Sequence, residues 1–139
     1  MNRLTIDELE MLNPFELGEL LRGEVWKPSP DVQFIQDLLT VGCPIDARGE
    51  WGQTALHWAA KNGHLAVVRF LISKGALVDD RDEHSQTALH YAACDGSIEV
   101  VKFLLSKGAD IHIRSIAVLS AWDIATAKTK EAIPKLRPK

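Results

Sequence analysis

The chain has 139 residues, of which 46% are hydrophobic and 25% charged, with 16 basic against 19 acidic side chains and a net charge of −3. That is the size and make-up of one globular domain with its own core, and it excludes wholesale disorder. A slightly acidic balance does not favour non-specific nucleic-acid binding, and two cysteines, Cys43 and Cys94, are too few for a secreted disulfide framework.

The start, Met1 to Glu8, is charged and lacks an apolar core, unlike a secretory leader. No apolar run approaches the roughly 20 residues that span a bilayer. These features lead us to expect an intracellular protein, cytoplasmic or nuclear, without membrane insertion. Residues 6–12 suit a short extra helix, and residues 14–22 a longer one. Residues 23–30, with Pro28, Ser29 and Pro30, read as an enlarged loop holding Trp26. A further helix is expected over residues 31–41.

From Asp46 the sequence repeats itself. Residues 46–78 and 79–111 are identical at 19 of 33 positions. Thr54-Ala55-Leu56-His57 returns as Thr87-Ala88-Leu89-His90, and Ser73-Lys74-Gly75-Ala76 as Ser106-Lys107-Gly108-Ala109. Each unit reads as two short helices. Thr54 is a fair N-cap. Leu56, Ala59 and Ala60 form a small apolar stripe, and Gly63 stops the first helix. Leu65, Val67, Val68, Leu71 and Ile72 carry the helical period of the second, which Gly75 ends. An extended stretch and a turn then lead to the next unit. Small alanines let a helix pack closely between neighbours on both sides. One such unit cannot bury its apolar face alone, so the units must stack.

Gly42 to Asp46 lies 33 residues before Gly75 to Asp79, so residues 1–45 contain a divergent N-terminal unit. At the other end Ser120-Ala121-Trp122-Asp123-Ile124-Ala125 keeps the register without its Thr, Leu and His. Residues 112–133 read as a truncated cap, because Pro134 forbids a long second helix. Residues 134–139 are expected to fray.

The 33-residue period, Thr-Ala-Leu-His-x-Ala-Ala, Asn62-Gly63-His64-Leu65 and Leu-Ile-Ser-Lys-Gly-Ala together resemble the ankyrin repeat. The resemblance implies an all-α solenoid of antiparallel helix pairs with projecting β-hairpin fingers. It comprises two consensus repeats between divergent caps. It also implies that the Thr/His pair ties each finger to the helix layer, and that function is protein–protein interaction without catalysis, cofactor or metal. Partners of such proteins dock on finger tips and on the exposed side of the first helices. Carried onto this sequence, those positions are Arg48, Glu50, Trp51 and Gln53 on the first finger and Arg81, Glu83, His84 and Gln86 on the second. The third contributes Arg114, Ile116 and Leu119. The first helices add Trp58, Lys61 and Asn62, then Tyr91, Cys94 and Asp95.

Trp51 is either an exposed anchor for a partner or folds back on a neighbouring finger or the Trp26 loop. Trp58 and Tyr91, one repeat apart, could form an aromatic ladder with polar tips available, although packing also explains them. Residues 116–119 are apolar where a polar finger is expected, and Val118 stands where the repeat wants glycine. They either pack on the cap or expose a patch. Arg48, Arg81 and Arg114 form a row that could meet an acidic segment or bridge neighbouring fingers, with Asp46, Asp82 or Glu83 as partners. Cys43 reads as a small buried hydrophobe. Leu17 to Leu21 matches a Leu-x-x-Leu-Leu docking motif but suits helix packing better. A monomer binding another protein is expected, with self-association through the third finger as the alternative. An enzyme or small-ligand site at Cys94, His90 and Asp95 is the remotest reading.

Overall fold

The computed structural model describes residues 3–139. Among these residues nine α-helices follow one another: α1 (Ile6–Glu10), α2 (Pro14–Trp26), α3 (Val32–Thr40), α4 (Ala55–Lys61), α5 (Leu65–Ser73), α6 (Ala88–Asp95), α7 (Ile98–Ser106), α8 (Ala121–Ile124) and α9 (Ala127–Ala132). They stack in two layers. α2, α4, α6 and α8 form one row, and α3, α5 and α7 the other.

The inner row is packed through its alanines. Ala55, Ala59, Ala60, Ala88, Ala92 and Ala93 are at most 1% exposed. Side chains this small bring helix axes close without voids. The outer row supplies the bulk, with Ile35, Leu38, Val68, Leu71, Val101 and Leu104 fully buried between the layers.

Each inner helix opens on a reciprocal cap. Thr54 and Thr87 accept from the backbone N–H of His57 and His90, and each histidine Nδ1 accepts the threonine N–H in return, at 2.9 and 3.2 Å. Asn13 with Glu16 and Ser120 with Asp123 do the same for α2 and α8. Two orphan N–H groups are thereby satisfied at every start.

The N-terminal unit departs from expectation. α2 runs on to Trp26, so the loop spans only residues 27–31. The apolar period Leu17, Leu21, Val25 continues across Gly23 and buries all three. Glu24, 4% exposed, then ties down the turn by accepting from Lys27 Nζ at 2.5 Å and from the Asp31 N–H at 2.7 Å. The C-terminal end differs as well. Residues 134–136 make a 3-10 turn that buries Leu136 completely, as it does Ile133 nearby, so apolar burial holds the chain where fraying was expected.

The fingers are tight turns, and no β-strand is formed among the described residues. Gly49, Asp82 and Ser115 donate to the carbonyls of Gln53, Gln86 and Leu119, and Gly52, Ser85 and Val118 donate back to Gly49, Asp82 and Ser115. The three returning donors all have positive φ: 73° for Gly52, 58° for Ser85 and 62° for Val118. Glycine adopts this conformation freely; a β-branched residue does so only under strain. Successive fingers are also linked. The Glu83 N–H donates to the Trp51 carbonyl at 3.0 Å, and the Ile116 N–H to the His84 carbonyl at 2.9 Å.

Candidate partner-binding surface

The buried histidines tie the second and third fingers to the helix stack. His57 Nε2 donates to the carbonyls of Asp80 (3.0 Å) and Gln86 (3.1 Å), at the base of the second finger. His90 Nε2 donates to the Leu119 carbonyl at 3.0 Å, at the base of the third. With Nδ1 accepting and Nε2 donating, both rings are the neutral Nε2–H tautomer. Burial holds both below the ordinary histidine pKa.

Three tryptophans converge beside the first finger. Trp26 from the end of α2, Trp51 from the finger tip and Trp58 from α4 line one open groove of about 450 Å³, with Glu19, Arg22 and Glu50 at its sides. Trp26 and Trp51 are 56% and 51% exposed. Trp26 meets Trp58 edge to face at 4.8 Å, and Trp58 leads on to Tyr91 at 6.4 Å, a row crossing α2, α4 and α6. Lys61 Nζ lies over Trp58 at 5.1 Å and over Trp26 at 5.8 Å. Trp51 leans on His84 of the next finger, with ring centroids 5.8 Å apart. Gly18 lets α2 approach the finger base; a Cβ there would lie 2.9 Å from that of Ala47.

Several sequence candidates are committed inside the fold. Gln53 is 6% exposed, and its side-chain oxygen accepts the Trp51 N–H at 3.2 Å. The Tyr91 hydroxyl donates to the Asp82 carboxylate, so its tip is not free; burial and that bond push its pKa up to about 12. Arg48 donates to the carbonyls of Gly52 and Arg81 and pairs with Asp80 at 2.5 Å. It therefore bridges fingers, through Asp80 rather than through Asp46, Asp82 or Glu83. The Gln86 carbonyl receives His57.

Other candidates stay at the surface. Glu50, Arg81 and Glu83 are exposed, while His84, Lys61 and Asn62 are half-buried. On the third finger Arg114 donates to the Val118 carbonyl at 3.2 Å, and Ile116, Val118 and Leu119 are 65%, 63% and 40% exposed. The apolar stretch is thus presented to solvent. The sequence reading placed Trp26 in a loop and outside the candidate surface, whereas it ends α2. Continuing the Leu17, Leu21, Val25 period would have carried α2 far enough to place it.

Cys94 and Asp95 are exposed at the end of α6, beside an open cleft of about 210 Å³. Both His90 ring nitrogens are already bonded, so His90 offers Cys94 no free base. Cys43 is buried, which raises its thiol pKa to about 11. Leu17 and Leu21 are buried, so that stretch is packing. Among the described residues no group of three or more His, Cys, Asp or Glu could hold a metal ion, and no helix is long and apolar enough to cross a membrane.

Stacked helix pairs, the two central ones pinned by a Thr/His cap to the next turn, define a helical repeat protein. Residues 28–115 match the family described as ankyrin repeats (3 copies), well over half of the chain, and the chain belongs to that family. The match leaves out α1, α2, α8 and α9, which are the divergent ends. No curated protein sequence matches the chain. Ankyrin repeats are generally protein–protein interaction modules.

Proposed function

We propose that this chain is a non-catalytic, intracellular binding module, and that it recognises a partner protein with the groove between α2 and the first finger. Trp51 and Trp26 are the anchors, Trp58 forms the floor, and Glu50, Lys61, Arg81, Glu83 and His84 make the polar rim. The convergence of three tryptophans on one open groove, two of them about half exposed, carries this reading. Half-exposed indoles contribute little to the core, and Trp is enriched among residues that dominate interface energetics. Asn62, Cys94 and Asp95 extend the surface along the helix ends.

A paired affinity capture from source-cell lysate tests the reading. One bait is the natural chain; the other carries Trp26→Ala and Trp51→Ala and is checked for an unchanged thermal melt. A protein retained by the first and lost by the second is the expected result. Equal capture by both baits would remove the groove from the account.

A further inference from the structure

We propose that the tryptophan groove receives an arginine side chain, carried on a basic segment of the partner protein. The inference rests on the groove being a recognition surface, and names the chemistry that enters it.

The rings of Trp26 and Trp58 meet at 84° and form a corner. Trp51 lines the same groove from the finger tip, and its ring contact is with His84. Among aromatic side chains the indole face attracts a cation most strongly. This corner already does so within the chain, where Lys61 Nζ lies over both rings, 5.8 Å from the centroid of Trp26 and 5.1 Å from that of Trp58. Lys61 ends α4 and is not among the residues lining the groove, so the groove itself stays open.

Charge selects the same occupant. The ionisable side chains lining the groove are Glu19, Arg22 and Glu50. Arg22 is paired with Glu19, whereas Glu50 is exposed and outside any ion pair among the described residues. The uncompensated charge on the lining is therefore a carboxylate. An aliphatic side chain would use the indoles but leave Glu50 without a counter-charge, and an acidic one would meet it as a like charge. A guanidinium answers both features. Its flat face stacks on an indole, and its fork of N–H donors suits a carboxylate with two parallel bonds. It is also more weakly hydrated than an ammonium, so it gives up its water more readily.

The surroundings extend the preference to the rest of the segment. Residues 1–45 carry three basic against eight acidic side chains. The three basic groups are all internally paired, Arg3 with Asp31, Arg22 with Glu19 and Lys27 with Glu24. Asp7 and Glu10 are exposed and outside any ion pair among the described residues. An acidic end of this kind draws in a basic chain and disfavours an acidic one.

The tryptophan indole N–H signals of the full chain, followed by two-dimensional NMR, test this. The probes are a matched set of capped peptides: Gly-Arg-Gly-Arg-Gly-Arg-Gly, its lysine counterpart, and its citrulline counterpart, which keeps the shape of arginine without the charge. Each is titrated from about 10 μM to 10 mM. The arginine peptide should shift the indole signals of Trp26, Trp51 and Trp58 and bind at least about tenfold more tightly than the citrulline peptide. The lysine peptide carries the same charge and so reports charge attraction alone; it should bind at least about threefold more weakly than the arginine peptide. Trp51→Ala should weaken the arginine peptide at least about fivefold, and Glu50→Gln at least about threefold, both at exposed positions. Absence of indole shifts, a citrulline or lysine peptide that binds as tightly, or a Trp51→Ala or Glu50→Gln chain that binds like the wild type would each overturn the proposal. The two readings fail separately. If the bait lacking Trp26 and Trp51 loses its captured partner while the wild type does not discriminate among the peptides, the arginine is removed and the groove is kept.

Discussion

His57 Nε2 sits 3.0 Å from the carbonyl oxygen of Asp80, a residue in the next repeat along the chain. That bond and its equivalent from His90 to Leu119 hold each finger against the helix of the repeat before it. The second and third fingers are therefore positioned by buried imidazoles that never reach the surface.

Replacing His57 by alanine leaves the Thr54 N–H and the carbonyls of Asp80 and Gln86 short of partners. Stability should fall by about 2–4 kcal/mol, combining a lost buried network with a cavity. Urea unfolding followed by circular dichroism measures it. A loss below about 0.5 kcal/mol would show that the fingers are held by other contacts.

The same histidines predict a pH dependence. Burial lowers the folded-state pKa of both below 6.5. Below that value the unfolded chain binds protons that the folded chain refuses, so stability drops as pH falls. The slope reaches at most about 1.4 kcal/mol per pH unit for each histidine until its folded pKa is passed. Asp31 and Asp123 have lowered carboxylate pKa values and respond only in more acid solution. Urea midpoints between pH 7 and 5 should decline in the wild type and be nearly flat in a His57→Ala, His90→Ala chain.

Val118 adopts a left-handed backbone at the position held by Gly52 in the first finger. Val118→Gly should stabilise the chain by about 0.5–1 kcal/mol. The relief of about 1–2 kcal/mol of strain outweighs the extra entropy of an unfolded glycine. Gly52→Val should destabilise by more than about 2 kcal/mol, because its Cβ would also lie 2.9 Å from Glu83 Cγ. Opposite signs for these two substitutions, read from urea midpoints, are the expected result.

Leu136 is fully buried in the 3-10 turn that follows α9, in a segment the sequence marks as a tail. Leu136→Ala should cost about 2–3 kcal/mol, as for a core leucine. A thermal melt indistinguishable from wild type would mean that the segment contributes nothing.

How much was legible depends on whether a signal recurs. The helix pairs, their caps and the Thr/His ties repeat at 33 residues, so Thr54 and Thr87, or His57 and His90, confirm one another. Nothing repeats at the ends. α2 passes Arg22 because Val25 finds a buried site in the stack, and Leu136 is held because the truncated last unit leaves a site for it. Neither fact has a counterpart one period away. Exposure was no more legible. Gln53 and Tyr91 carry polar atoms that suit a surface, yet one bonds the Trp51 N–H and the other Asp82.

Local sequence was enough to specify the repeat, the helix boundaries within it and the Thr/His caps. Those follow from caps, helical spacing and residues that take positive φ, all of which act within a few residues of one another. Long-range packing settled the rest: that Trp26 joins Trp51 and Trp58 in one groove, that Arg48 bridges to Asp80, and that Ile116, Val118 and Leu119 face solvent. Each of these depends on distances between segments far apart in the chain, set by how closely alanine-lined helices stack.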